Sequence, residues 1–132
     1  MEPEEKKQQK VLLVDDDRFL LNMYSMKFKN SGYEVFTAVG AEEAMNILVE
    51  QKIVPDIILL DIIMPTTDGL TLLEDIRKQN LAENATVIML TNQSGESDIE
   101  RAKTLGVRGY IVKATTIPSE VVEEVIKITN KQ

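Results

Sequence analysis

Six polar residues of this chain sit where chemistry could be done, each directly after a short apolar run. Asp15, Asp16 and Asp17 follow Val11–Val14. Asp61 follows Ile57–Leu60, Thr91 follows Thr86–Leu90, and Lys113 follows Gly109–Val112. Carboxylates brought together from two runs repel one another and raise one another's pKa values unless a cation neutralises them. An all-oxygen donor set favours a hard divalent ion, Mg²⁺ with Mn²⁺ as the alternative. A carboxylate can also act as a covalent nucleophile toward phosphorus. Phosphoryl transfer asks mainly for alignment and positive charge, which a metal ion and Lys113 would supply. A single Asp after a strand is usually a helix cap or a turn residue, and Asp17 is expected to cap the helix that follows. The full set, with a hydroxyl and an ammonium on the next two runs, points instead to a site.

The elements that must carry these residues can be read from periodicity. The runs Val11–Val14, Tyr33–Ala38, Ile57–Leu60, Thr86–Leu90 and Gly109–Val112 are mostly continuous in Val, Ile and Leu, as strands buried on both faces are. Amphipathic stretches lie between them: Phe19–Lys29, Ala41–Gln51, Leu70–Gln79, Asp98–Leu105 and Glu120–Thr129. In the first, Leu20, Met23, Tyr24 and Phe28 mark the apolar face, and Ser31-Gly32 supplies the stop. In the last, Val121, Val122, Val125, Ile126 and Ile128 do so. Alternation of this kind predicts an α/β fold, a doubly wound five-stranded parallel sheet of order 2-1-3-4-5 in a three-layer sandwich. In that order the ligand crevice lies at the carboxyl ends of the first and third strands, where Asp15, Asp16 and Asp61 fall.

Composition removes other classes. The chain has 132 residues, the size of one compact domain. Its net charge is −7 with no basic cluster beyond Lys6-Lys7, which disfavours direct contact with nucleic acid. No apolar run approaches the roughly 20 residues needed to span a bilayer, so no membrane partner is expected. There are no cysteines, consistent with a cytoplasmic location, and no histidines. An imidazole zinc site and a Ser-His-Asp triad are therefore impossible, and any phosphohistidine must come from a partner. Residues 1–10 are charged and polar and read as a flexible tail preceding a domain over 11–130.

Four segments carry a family resemblance: Val11 to Asp17 (VLLVDDD), Leu60 to Pro65 (LDIIMP) with Asp68-Gly69, Met89 to Thr91 (MLT), and Gly109 to Lys113 (GYIVK). Each is weak alone. In this order and spacing they resemble the receiver domain of bacterial response regulators, over nearly the whole stretch from Val11 to Ile128. The resemblance implies a flavodoxin-like fold and a phosphoacceptor role for Asp61. It implies metal binding by Asp16, by Asp15 through water, by Asp61, and by the backbone carbonyl of Ile63. It implies that Thr91 and Lys113 contact phosphoryl oxygens, and that Thr91 and Tyr110 form a switch. The implied donor is a histidine kinase or histidine phosphotransfer protein. The implied reader is a downstream protein or output domain engaging the fourth helix, fifth strand and fifth helix. On this reading the chain is a signalling domain, not an enzyme beyond its own phosphorylation and slow dephosphorylation.

Read alone, Tyr110 is an ordinary strand aromatic, and Asp68-Gly69 is a turn and helix start. Three residues depart from the family pattern. Ala114 stands where proline usually follows a cis peptide, and Thr115 replaces a frequent aromatic. Asn92 stands where a small residue is usual. A cis bond before a non-proline residue costs about 2.5–4 kcal/mol, so a trans Lys113–Ala114 bond and an altered loop are expected. The resemblance places Ile63 and Asn92 beside the path of a hydrolytic water, so a phosphorylated state lasting many minutes or longer is expected. Two other functions on such a fold fit less well. A binding module indifferent to phosphorylation would have no use for Asp15, Asp16, Asp61, Thr91 and Lys113 together. A phosphatase of the dehalogenase type needs a second acid two residues after its nucleophile, where this chain has Ile63.

Overall fold

The computed structural model describes residues 8–92 and 95–130. The strands are β1 (Lys10–Val14), β2 (Glu34–Ala38), β3 (Ile57–Leu60), β4 (Thr86–Thr91) and β5 (Gly109–Val112). The helices are α1 (Arg18–Asn30), α2 (Ala41–Met45), α3 (Gly69–Lys78), α4 (Glu96–Thr104) and α5 (Pro118–Asn130). The sheet is parallel throughout, in the expected order β2-β1-β3-β4-β5. β1 begins one residue before the boundary expected at Val11. Most of the expected tail, residues 1–7, lies outside the described residues.

Side chains alternate across a strand, and the two faces of this sheet build two cores. Leu12, Val14, Ile58, Leu60, Val87 and Met89 pack with α2, α3 and Ala102 of α4. Val11, Leu13, Ile57, Leu59, Ile88, Leu90 and Ile111 pack with α1 and α5. Both faces are covered, which is why the central strands read as unbroken apolar runs.

Helix boundaries follow the capping chemistry. Asp17 accepts from Leu20 N at 3.1 Å and caps α1, as expected. Gly32 takes a positive φ of 94° just beyond the helix end. The buried face of α1 is Leu21, Tyr24 and Phe28. Tyr24 and Phe28 lie on it as expected, whereas Leu20 and Met23 flank it half-buried. A helical wheel advances about 100° per residue, so a phase error of one position suffices. The second helical stretch, expected to run to Gln51, ends at Glu50, and its second half, Asn46–Glu50, winds as a π turn. In α5, Val121, Val122 and Val125 are buried, whereas Ile126 is exposed.

Candidate functional site

Strand register delivers the acidic residues to one edge. Val14 and Leu60 are paired at the last step of β1 and β3, so Asp15 and Asp61 emerge side by side. Asp61 N donates to Val14 O at 3.0 Å, and Asp15 N donates to Ala38 O at 3.1 Å. On the other side, Thr91 pairs with Val112, which places Lys113 one step beyond Thr91. The topology has thus brought together Asp15, Asp16, Asp61, Thr91 and Lys113.

Two of the carboxylates are buried: Asp15 is 3% and Asp61 6% exposed, whereas Asp16 is exposed. Asp15 Oδ1 accepts from Asp17 N at 2.9 Å. Asp61 Oδ1 accepts from Ile63 N at 3.3 Å. Lys113 Nζ lies between them, 2.6 Å from Asp15 Oδ2 and 3.0 Å from Asp61 Oδ2. The contact to Asp61 is a directed hydrogen bond. That to Asp15 is a charge contact without the alignment of one, so Asp15 Oδ2 is buried with no directed donor.

The charges are unevenly compensated. Burial pushes the Asp15 carboxyl above its usual range, against the pull of the Lys113 ammonium and the Asp17 N–H. Burial also works against the Lys113 ammonium, but Asp15 and Asp61 outweigh it and hold its pKa above that of an ordinary lysine.

The donor set suits a hard divalent cation. Asp15, Asp16 and Asp61 each offer an oxygen, and these lie within 4.8 Å of one another. Ile63 is 59% exposed in the loop after β3, tied to Asp61 through its own N–H. Tyr110 is half-buried in β5 and paired with Met89. It lines a groove with Ile99, Ala102 and Val107. Its hydroxyl pKa is raised by burial and by the negative charges of Asp98 and Asp61.

Two features near the site were not legible as such. Asp68 caps α3 by accepting from Thr71 N at 2.8 Å, as a helix start should. Gly69, beside it, is more than a turn residue: a Cβ there would fall 1.9 Å from Asp61 O. The helix start therefore presses against the backbone of Asp61, with Gly69 N donating to Ile62 O at 2.7 Å. The second feature is Asn92, whose Oδ1 accepts from Ala114 N at 2.7 Å. Lys113–Thr115 forms a single 3₁₀ turn, and no peptide bond among the described residues is cis, so the Lys113–Ala114 bond is trans as expected.

A parallel sheet of this order, with acids beyond β1 and β3 and a lysine beyond β5, defines a receiver-type α/β domain. The model of the response regulator receiver domain matches residues 11–126, and the chain belongs to that family. Among solved structures, it is similar to the chemotaxis protein CheY4 of Vibrio cholerae, with 29% identity and a TM-score of 0.83. That match covers 92% of this chain and 99% of the other. A CheY-like receiver domain protein from Methanospirillum hungatei is 26% identical over 94% of this chain and 96% of its own, with a TM-score of 0.82. A LuxR-family DNA-binding response regulator from Staphylococcus aureus is 28% identical over 91% of this chain and 98% of the other, with a TM-score of 0.77.

Proposed function

We propose that this receiver domain takes a phosphoryl group onto Asp61 from the phosphohistidine of a histidine kinase or histidine phosphotransfer protein. The observation that carries this reading is the Lys113 ammonium held between two buried carboxylates, Asp15 and Asp61, with Asp16 beside them. An oxygen of Asp61 attacks phosphorus as the phosphorus–nitrogen bond of the donor breaks, and the leaving imidazole takes up a proton. Asp61 gives up its negative charge to the new acyl phosphate, and Lys113 remains within reach of a phosphoryl oxygen. Thr91, buried at the end of β4, contributes its hydroxyl to another. Asp16, Asp61 and the Ile63 carbonyl, with Asp15 through water, would hold Mg²⁺, or Mn²⁺ in its place. When bound there, such an ion would supply positive charge to offset the carboxylates and the phosphoryl group.

Phosphorylation then shifts a two-state equilibrium through Thr91 and Tyr110. The surface it changes is that of α4, β5 and α5, read by a downstream protein or output domain. The domain signals rather than turning over a substrate. No helix of the described residues is long and apolar enough to cross a membrane, and we place the chain in the cytoplasm, where such kinases present their phosphohistidine. The test is intact-mass measurement after incubation with acetyl phosphate and Mg²⁺. Wild type gains one phosphoryl group, and chelator abolishes the gain. Equal modification of Asp61→Asn would overturn the assignment.

A further inference from the structure

The backbone just beyond Lys113 is held by a side chain from the neighbouring strand. Ala114 N donates to Asn92 Oδ1 at 2.7 Å. That is at the short end for an N–H···O bond. The other polar ties of this turn are long: Thr116 N to Lys113 O is 3.4 Å, and Thr115 Oγ1 to Val112 O is 3.4 Å. The last backbone pair between β4 and β5 is Thr91 with Val112. The Asn92–Ala114 bond therefore ties the two segments just past the end of the sheet, on the residues following Thr91 and Lys113. A proline at 114 would have no N–H to give. Two of the three departures from the family pattern, at 92 and 114, are the acceptor and donor of one bond.

We infer that Asn92 is a positioning residue that holds the Ala114 amide and so aims Lys113 at Asp15 and Asp61. The inference rests on the phosphoacceptor reading for its consequence in rate, but the tie itself is independent of it. Lys113 reaches the crevice through four flexible methylenes. Fixing its backbone narrows the positions its ammonium samples, which matters because a misplaced catalytic charge loses most of its effect. The competing role for Asn92, beside Thr91, is direct contact of its amide with the phosphoryl group.

The experiment compares wild type, Asn92→Ala, Asn92→Asp, Lys113→Met and the double variant Asn92→Ala/Lys113→Met. Asn92 is exposed, so its variants should fold. Two quantities are read: the rate of phosphorylation by acetyl phosphate with saturating Mg²⁺, and NMR measurements of Ala114 amide exchange and Lys113 methylene mobility. Asn92→Ala should speed Ala114 exchange, loosen the Lys113 methylenes and slow phosphorylation by about threefold to tenfold, the value of one modest hydrogen bond. Asn92→Asp, which keeps an acceptor in place, should retain Ala114 protection. In the Lys113→Met background, Asn92→Ala should have no further effect on rate. Equal slowing in both backgrounds would overturn the inference in favour of direct contact with the phosphoryl group. Unchanged Ala114 exchange or Lys113 mobility in Asn92→Ala would overturn it outright. If wild type takes no phosphoryl group on Asp61, the phosphoacceptor reading fails separately, and the NMR arm alone decides the tie.

Discussion

Lys113 Nζ lies 2.6 Å from Asp15 Oδ2, a buried oxygen with no directed hydrogen-bond donor. The ammonium thus stands as the cation of an acidic crevice from the side of β5, while the exposed Asp16 leaves the other side open to a metal ion. This pairing gives the site its electrostatic logic. Two buried carboxylates are tolerable in the folded chain because a lysine faces both.

Replacing that lysine should therefore cost stability before it costs chemistry. Lys113→Met keeps the aliphatic stem but leaves Asp15 and Asp61 facing each other. Breaking a buried ion pair by removing one partner typically costs about 3–5 kcal/mol. Urea unfolding without metal should show a loss of that order at neutral pH. Mg²⁺ should restore more stability to Lys113→Met than it adds to wild type, since it replaces the missing charge. A loss below about 1 kcal/mol would mean that the carboxylates are solvated well enough not to need the lysine.

Stability should depend on pH in two windows of the same sign. Burial raises the folded pKa of Asp15 above its ordinary 3.8, so the folded state holds that proton more tightly than the unfolded chain. The stabilising contribution is complete below 3.8 and is lost as pH rises through the raised value. Asp15→Asn should then be the more stable protein at neutral pH without metal, by about 0.5–2 kcal/mol, and should bind Mg²⁺ poorly. Lys113 is also raised, from an ordinary 10.5. Its contribution is present below that value and is lost as pH climbs through the higher folded pKa. Denaturation series in chelator from acid to alkaline pH check both. Asp15→Asn being less stable than wild type at pH 7 would show that the Lys113 pairing outweighs burial.

Gly69 should not tolerate a methyl group. The added carbon would lie 1.9 Å from Asp61 O and 2.8 Å from Asp61 C, both backbone atoms without a flexible end to yield. Overpacking of this kind costs about 1–3 kcal/mol. On the proposed role of Asp61 as phosphoacceptor, Gly69→Ala should also slow phosphorylation by acetyl phosphate more than its lost stability explains. A folded Gly69→Ala protein that is phosphorylated at the wild-type rate would separate the glycine from the site.

The contrast between Gly69 and Asp61 shows what a sequence discloses here. Asp61 was legible because a continuous apolar run of four residues is a buried strand, and the residue after such a strand falls at the sheet edge. Asp15, Thr91 and Lys113 follow by the same logic. Gly69 was legible only as a turn. Its approach to Asp61 O depends on how the α3 start folds back over β3, which no local pattern encodes. The Asn92–Ala114 bond joins residues 22 apart in sequence, and only the β4–β5 register brings them together. In the sequence Asn92 stands out only as larger than the usual residue, where the structure gives its oxygen a partner. On α1, Tyr24 and Phe28 were read correctly, but Leu20 was read in place of Leu21 because the two are equally apolar.

The lifetime of the phosphorylated state should be set largely at Ile63. Loss of phosphate needs a water whose oxygen attacks phosphorus as the bond to Asp61 breaks, regenerating the carboxylate and releasing inorganic phosphate. Ile63 lies two residues after Asp61, its N–H bonded to Asp61 Oδ1 and its side chain 59% exposed. That side chain has no polar atom with which to orient a water. Asn92 Oδ1 is engaged by the Ala114 amide, which leaves it less able to serve. Water-orienting and general-base groups typically contribute roughly 10²–10⁴-fold to such steps. Wild-type phosphoprotein should accordingly persist for many minutes with Mg²⁺ present, and Ile63→Gln, which supplies an amide of similar length, should shorten that time by about tenfold or more. The measurement is the decay of the phosphorylated mass after removal of acetyl phosphate. Wild-type decay within seconds, or an Ile63→Gln lifetime no shorter than wild type, would place control of the water elsewhere.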